Sequence, residues 1–282
     1  MDIRNKELFL TVKDYSVSQE IFELYYDKEL DMLITFPQPS LKDLGKYYES
    51  NNYISHTDSK RTLFEKMYQF VKSVALKRKL KLINSLHSNK GSILDIGAGT
   101  GDFLLEAKNN GWQTIGVEPS EKAKAIAIKK GISFVSETKE LEDHFFDVIS
   151  MWHVLEHVPN LEEQIKELKR LLKPNGTLII AVPNFKSFDA MHYKKFWAAY
   201  DVPIHFWHFS KSAIKKLFSN EKLELIDVLA MKFDSFYVSL LSEKYKTGNM
   251  NFIKAFYIGL KSNYKARQNF EYSSHIYILK NK

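Results

Sequence analysis

The chain has 282 residues, with 41 Lys and Arg against 34 Asp and Glu, a formal net charge of +7, and 44% hydrophobic and 14% aromatic residues. That composition supports a substantial core and argues against disorder. Cysteine is absent, which excludes disulfides, cysteine zinc sites and thiol nucleophiles.

The opening residues Met1-Asp2-Ile3-Arg4-Asn5-Lys6 lack the apolar run of a signal peptide. No segment approaches the ~18 continuous apolar residues of a membrane span, so the expected location is cytoplasmic. Basic residues crowd between Lys60 and Lys81 and again toward the C-terminus. Contact with an anion, either nucleic acid or a lipid headgroup, would suit them. The lysines nevertheless alternate with apolar residues at helical spacing, as on a solvated helix face. No nucleic-acid partner is therefore expected, and membrane-surface contact is left as an alternative.

Residues 1–40 read as short strands, with Glu20–Tyr26 and Asp31–Phe36 rich in β-formers and Pro37 ending the second run. Ser40 to Asp43 resembles a capping box that opens a short helix through Tyr48. The period from Ser59 to Leu86 is that of one long helix, with Leu63, Met67, Phe70, Val71, Val74 and Leu80 on its apolar stripe. The pattern then alternates. Short apolar strands are expected at Ser92–Ile96, Gln113–Glu118, Ile132–Val135, Phe146–Met151 and Thr177–Val182. Helices are expected at 102–110, Ser120–Lys130 (ended by Gly131) and Leu161–Leu172, with Lys173-Pro174-Asn175-Gly176 as a stop. Near-continuous apolar strands alternating with helices are the mark of a doubly wound, largely parallel α/β sheet. Further on, Ser210 caps a helix to Phe218, Ser239–Tyr264 is mostly helical, and Leu223–Lys232 and Ser274–Leu279 are the final strands.

The first strand runs into Asp95-Ile96-Gly97-Ala98-Gly99-Thr100-Gly101. The dinucleotide fingerprint G-x-G-x-x-G fails, because the third glycine arrives one residue early. A phosphate loop fails too, since no Gly-Lys-Ser/Thr follows. What remains suits a nucleoside joined to a zwitterionic amino acid. Gly97, Ala98, Gly99 and Gly101 let the backbone approach closely, and amides at the helix start can receive a carboxylate. Asp95 can take an ammonium group. Glu118, followed by Pro119 at the end of the second strand, can accept both ribose hydroxyls.

Together these segments resemble class I S-adenosylmethionine-dependent methyltransferases: Ile93–Gly101 matches their first motif, Phe146–Ser150 their fourth strand and Leu171–Leu178 the motif before the fifth. Trp197–Pro203 and Phe206–Ser210 are similar to a small-molecule branch near the ubiquinone-pathway O-methyltransferases. The resemblance implies S-adenosylmethionine as cofactor and a Rossmann-like, seven-stranded, mostly parallel sheet. It also implies an N-terminal extension over 1–58 and a methyltransferase domain over 59–282, with core 88–185 and a helical insertion or lid over 186–220. Relatives often carry an N-terminal Cys-x-x-Cys zinc element, whose positions here hold Asp27 and Leu30, so no zinc is expected there. Ser136 and Glu137 should meet the adenine, and Met151, Trp152 and His153 should flank the sulfonium.

Where the fourth strand emerges, Met151-Trp-His-Val-Leu-Glu-His-Val158 carries three groups of interest. Read as an inverted zinc-peptidase motif it fails, because it follows a strand and has no further ligand. Some ubiquinone-pathway relatives bind a divalent metal at a triad whose first member is acidic. His153 takes that place here, so no metal is expected, and His153, Glu156 and His157 are the residues that would hold one. Transfer to a hydroxyl needs a base, and the expected catalytic histidines are His153, His157 and His205. Trp197, Tyr200, Asp201 and His208, with Trp207, form the expected acceptor pocket, and Tyr47, Tyr48, Tyr53 and His56 are expected to close its other side. The expected activity is methyl transfer to a small-molecule acceptor, at a hydroxyl oxygen. RNA methylation is an alternative, although Val182-Pro183-Asn184-Phe185 lacks the Asn/Asp-Pro-Pro-aromatic signature of base methylation. Non-catalytic cofactor binding is another.

Overall fold

The computed structural model describes residues 3–40, 42–48 and 63–282, with 63–71 described through the backbone alone. The chain divides into two compact units, each drawn from separated segments. One comprises residues 1–52, 153–165 and 180–278, and the other 53–152, 166–179 and 279–282. The boundary expected near residue 58 lies outside the described residues, as do Tyr53, His56 and the expected helix start at Ser59. So do the side chains of Leu63, Met67, Phe70 and Val71.

In the first unit, β1 (Glu7–Lys13), β2 (Ile21–Asp27) and β3 (Met32–Phe36) pair antiparallel in sequence, with Val12 opposite Phe22 and Leu24 opposite Thr35. The turn between β2 and β3 is built on Asp27, whose Oδ1 accepts from the Leu30 amide at 3.0 Å and whose other oxygen pairs with Lys6. Where the resemblance would place zinc ligands, this chain therefore has an ion-paired aspartate turn. Ser40 Oγ donates to Asp43 at 2.7 Å, but only a 3-10 turn follows, over Leu44–Tyr48.

The second unit begins with α1 (Leu63–Leu86), whose Leu80 and Ile83 are buried. Its sheet contains β4 (Ser92–Ile96), β5 (Gln113–Val117), β6 (Ser133–Val135) and β7 (Phe146–Trp152). The pairs β4–β5, β4–β7 and β5–β6 are all parallel. Between these strands run α2 (Asp102–Asn109) and α3 (Glu121–Lys129). The Ser120 side chain caps α3 by accepting from the Ala123 amide, and Gly131 follows its end at φ 78°. Next come α4 (Leu161–Leu171) and β8 (Leu172–Pro183). The helix ends just before 173–176 as expected, but that run is already part of β8, which was expected to begin at Thr177. Asn175 tolerates φ 61° there, and the Asn281 amide donates to the Leu172 and Lys173 carbonyls, holding the chain extended.

Beyond β8 the chain forms α5 (Phe188–Tyr193), two 3-10 turns, the two-residue β9 (Trp207–His208), α6 (Lys211–Ser219) and β10 (Leu223–Ala230). The stretch Ser239–Tyr264, expected to be mostly helical, is so, as a hairpin of α7 (Asp234–Thr247) and α8 (Phe252–Asn269). Gly248 at φ 80° ends the first, and the Asn251 side chain caps the second. The last strand is β11 (Ser274–Asn281). The large sheet has the order β10-β11-β8-β7-β4-β5-β6, a seven-stranded, mostly parallel α/β arrangement. A smaller sheet has the order β1-β2-β3-β9, so the insertion lends a strand to the N-terminal sheet, with Leu33 opposite His208.

Candidate active site

The glycine turn lies between β4 and α2, at the carboxyl end of the sheet's strands, where open α/β sheets bind ligands. Gly97, Gly99 and Gly101 have φ of 72°, 54° and 73°, a region L side chains rarely adopt. At Gly101 a Cβ would stand 2.7 Å from Ala127 Cβ, so glycine is needed for packing as well. At Gly99 a Cβ would meet nothing within 4 Å, and this glycine faces open space. Gly101 is also the N-cap of α2 and offers no side chain, so the first turn of α2 has no side-chain cap. Uncapped amides of that kind attract a carboxylate.

Asp95 is 3% exposed and accepts one hydrogen bond, from Ser150 Oγ at 2.5 Å. Burial pushes its carboxyl up to about 7. It is a partly satisfied buried acid, suited to a bound ammonium. Glu118 is half-buried. Its two oxygens accept from the Gly99 and Ser120 amides, each at 2.8 Å. These bonds fix the carboxylate beside the glycine turn while leaving a lone pair on each oxygen for a hydroxyl. Pro119 and Glu137 are exposed. The Ser136 and Glu137 amides both donate to Glu140, which shapes that loop. Trp152 packs edge-on against Phe103 at 6.0 Å, under the Lys79 ammonium at 4.2 Å. Its indole Nε1 is buried without a hydrogen-bond partner. Asp102, which the sequence reading missed, binds Lys72 and Lys130 at 2.6 Å each and anchors the start of α2.

The second group of residues belongs to the other unit. It begins with His153, which has φ 57° and donates its amide to the Ala181 carbonyl at 2.8 Å. A left-handed histidine is a strained position of the kind that gathers at functional sites. Burial disfavours a charge on its ring, but Asp234 at 3.2 Å and Glu156 at 3.5 Å outweigh that and push its pKa up to about 10. A ring that is already protonated cannot accept a proton, so the expected base role of His153 is not supported. Asp234, its main partner, comes from α7 and had no sequence signal.

Glu156, His157 and His205 stand together, with one ligand atom from each within 4.8 Å of the others. Glu156 is 1% exposed, and among the described residues its carboxylate's only partner is the long contact to His153, with no hydrogen bond of normal geometry to either oxygen. Burial pushes its carboxyl up, but the protonated His153 ring 3.5 Å away outweighs that and holds it ionised. His157 Nδ1 lies 3.1 Å from the Ile204 carbonyl and 3.2 Å from the Tyr48 hydroxyl. His205 Nδ1 lies 2.9 Å from the Ala199 carbonyl. Each carbonyl calls for a proton on Nδ1 and leaves a lone pair on Nε2. Burial lowers both pKa values, that of His157 to about 4, so both rings are neutral. The result is an ionised carboxylate and two imidazole lone pairs facing one another. Such a set suits a cation or a proton donor. The metal-capable set is therefore Glu156, His157 and His205, with His153 diverted to Asp234.

The residues expected to form the acceptor pocket are mostly packed away. Trp197 is 2% exposed, and its Nε1 donates to Asp189 at 2.8 Å. Tyr200 is also 2% exposed, wedged edge-on between Trp197 and His208. His208 Nε2 meets Thr35 Oγ1 at 3.0 Å, and Trp207 Nε1 donates to the Val158 carbonyl at 2.7 Å. These side chains build the core of their unit, with Trp197 and Tyr200 in one cluster with Val12, Phe22, Leu24 and Leu33 of the small sheet. Asp201 alone keeps partial exposure, and burial pushes its carboxyl up to about 6. Tyr47 is buried and donates to Glu20 at 2.6 Å. Asn184 is also structural, its amide held by Glu271 and the Tyr272 carbonyl.

A phosphate-free glycine turn, a buried acid for an ammonium and a fixed strand-end carboxylate define a class I fold that binds S-adenosylmethionine. Residues 59–228 match the family model described as a methyltransferase domain, and the chain belongs to that family; it is a class I S-adenosylmethionine-dependent methyltransferase. The ubiquinone biosynthesis O-methyltransferase of Bradyrhizobium diazoefficiens is 29% identical over 130 residues, or 42% of this chain and 51% of that protein. The chain spans about half the length of the curated relatives it matches. A S-adenosylmethionine-dependent methyltransferase from Thermotoga maritima has TM-score 0.52 at 23% identity, covering 77% of this chain and 94% of that one. Magnesium protoporphyrin IX methyltransferase from Synechocystis has TM-score 0.53 at 14% identity, covering 81% and 91%. At these identities the structural likeness concerns the fold. Among the described residues, no helix is long and apolar enough to cross a membrane.

Proposed function

We propose that the chain methylates an acidic hydroxyl, phenol or enol, of a small-molecule acceptor, with His157 as the base. S-adenosylmethionine, when bound, supplies a methyl group already activated on a sulfonium. In this reading Asp95 holds its ammonium, the amides of the α2 start its carboxylate, Glu118 the ribose, and Trp152 lies beside the sulfonium. His157 carries the proton transfer because its half-exposed ring keeps a lone pair on Nε2 next to the ionised Glu156. That Nε2 would take the hydroxyl proton as the methyl exchanges its carbon–sulfur bond for a carbon–oxygen bond and leaves a neutral thioether behind, and Glu156 would stabilise the imidazolium. His205 positions Glu156 and His157. A base with a pKa of about 4 matches only an acidic hydroxyl, since useful proton transfer needs comparable acidities.

The test is His157→Ala, assayed with labelled cofactor on a panel of phenols and alcohols. Turnover should fall about 100-fold or more with the cofactor Kd unchanged. At saturating cofactor, wild-type kcat should stay level down to the pKa of His157 and decline below it. Loss of cofactor affinity, or an acid limb near 6.5, would sink the assignment.

A second reading of the same cluster is a divalent cation held by Glu156, His157 and His205, favoured by the convergence of one ligand atom from each within 4.8 Å. Metal-bound histidines ordinarily donate their other nitrogen to a carbonyl in this way. Turnover that survives exhaustive chelation supports the base. Turnover lost on chelation, with stoichiometric Mn²⁺ binding abolished by Glu156→Gln, supports the cation.

A further inference from the structure

Helix α8 is built inside out. Its buried side is made mainly of small residues, Ala255, Gly259, Ser262 and Ala266 with Ile258. A Cβ at Gly259 would stand 2.6 Å from the Phe236 ring, so α7 and α8 approach closely. The large apolar side chains point the other way. Ile253 is 86% exposed, Phe256 and Tyr257 59%, Leu260 48% and Tyr264 62%. Their spacing of three and four residues puts them on one continuous stripe. Met250 and Phe252 extend the patch past the helix start. Ordinary surface helices expose charge and bury bulk, and contiguous exposed apolar patches mark interaction sites.

Charge identifies the partner. From Lys244 to Phe270 there is no Asp or Glu, while Lys244, Lys246, Lys254, Lys261, Lys265 and Arg267 are all present. Lys254, Lys261 and Lys265 recur at helical spacing along one flank of the stripe. Lys254 is held by Glu243 at 3.1 Å, while Lys261 and Lys265 are exposed and their long stems can lie on apolar material with the ammonium reaching outward. A second copy of the chain docked symmetrically on this face would bring like charges together. A nucleic acid would engage the lysines but leave Ile253 and Leu260 without an apolar partner. A bilayer surface with anionic headgroups meets both requirements, with apolar bulk at the acyl boundary and lysines among phosphates. Four cations within α8 rule out burial across the bilayer, leaving a helix that lies in the interface plane.

We propose that the Ile253–Tyr264 face of α8 seats the protein on an anionic lipid surface. The experiment is flotation of the full chain with vesicles of phosphatidylcholine, with and without phosphatidylglycerol. Binding should require phosphatidylglycerol and weaken with salt. The double substitution Ile253→Ser and Tyr257→Ser should lower partitioning at least about tenfold, and Lys265→Gln about fivefold. All three side chains are exposed, so melting temperature and cofactor affinity should match wild type and report an intact fold. Failure to float with phosphatidylglycerol vesicles overturns the proposal, as does flotation that the double substitution leaves unchanged. So does a lipid-free dimer dissolved by Ile253→Ser, or RNA binding weakened by Lys265→Gln in place of vesicle binding.

Discussion

In the cofactor cradle, the chain positions its own groups. Asp95 ends β4, three glycines with positive φ turn the backbone, and Glu118 at the end of β5 is held by the Gly99 and Ser120 amides. In the histidine cluster, nothing local assembles the site. Glu156 and His157 follow β7, but His205 arrives from an insertion clamped by hydrogen bonds of Phe206 to the Glu156 carbonyl and to the Thr35 amide. The cradle is thus a motif whose spacing carries its geometry, whereas the cluster exists only once β9 has paired with β3. Damage to the cradle should appear in fold and cofactor affinity, and damage to the cluster in turnover alone.

The largest effect expected in the cradle comes from Gly101→Ala. Left-handed strain and the contact with Ala127 should together cost about 2–5 kcal/mol of stability, read by thermal melting. Gly99→Ala, facing open space, should melt closer to wild type yet bind cofactor less well. Equal melting of both variants and wild type would show that the turn does not depend on backbone geometry.

Next in size is Asp95→Asn, which should weaken S-adenosylmethionine binding by about 1.5–3 kcal/mol, measured by calorimetry. The same substitution should raise stability without cofactor at pH 8. An acid pushed up by burial favours the fold while protonated. Its penalty is absent below its ordinary 3.8 and grows as pH climbs to about 7, so the cofactor-free wild type loses stability across that window. Wild-type affinity for cofactor should correspondingly drop as pH falls below 7. An Asp95→Asn protein that is less stable at pH 8 would mean the carboxylate has a partner beyond Ser150.

The smallest effect is expected from Glu118→Ala, at about 1–3 kcal/mol of cofactor affinity, since its two amide donors can turn to water. Unchanged affinity would remove the ribose role. If it lowered turnover while leaving affinity intact, the separation between cradle and cluster would fail.

The regular elements were legible because each depends on short-range chemistry. The strand Ser92–Ile96 and the cap Ser210 match the sequence reading residue for residue. The run 173–176 ends α4 as read, but the early start of β8 was missed, because the distant Asn281 amide holds the Leu172 and Lys173 carbonyls. Trp197, Tyr200 and His208 look like pocket residues in sequence because aromatics with polar tips line pockets. They are core because Asp189, eight residues upstream, satisfies Trp197 and the distant Thr35 satisfies His208. Asp234 gave no warning, since a carboxylate opening a helix usually serves only the helix dipole.

By itself the sequence determined the fold class, the glycine turn after the first strand of the large sheet and the acid that follows the second, because strand period, glycine spacing and an acid at a strand end are local properties of the backbone. Only the tertiary structure decided which histidines are neutral and which is charged, which acid lacks a normal hydrogen bond, and which face of α8 is outermost. Those outcomes depend on burial and on partners remote in the chain, and no local pattern encodes either.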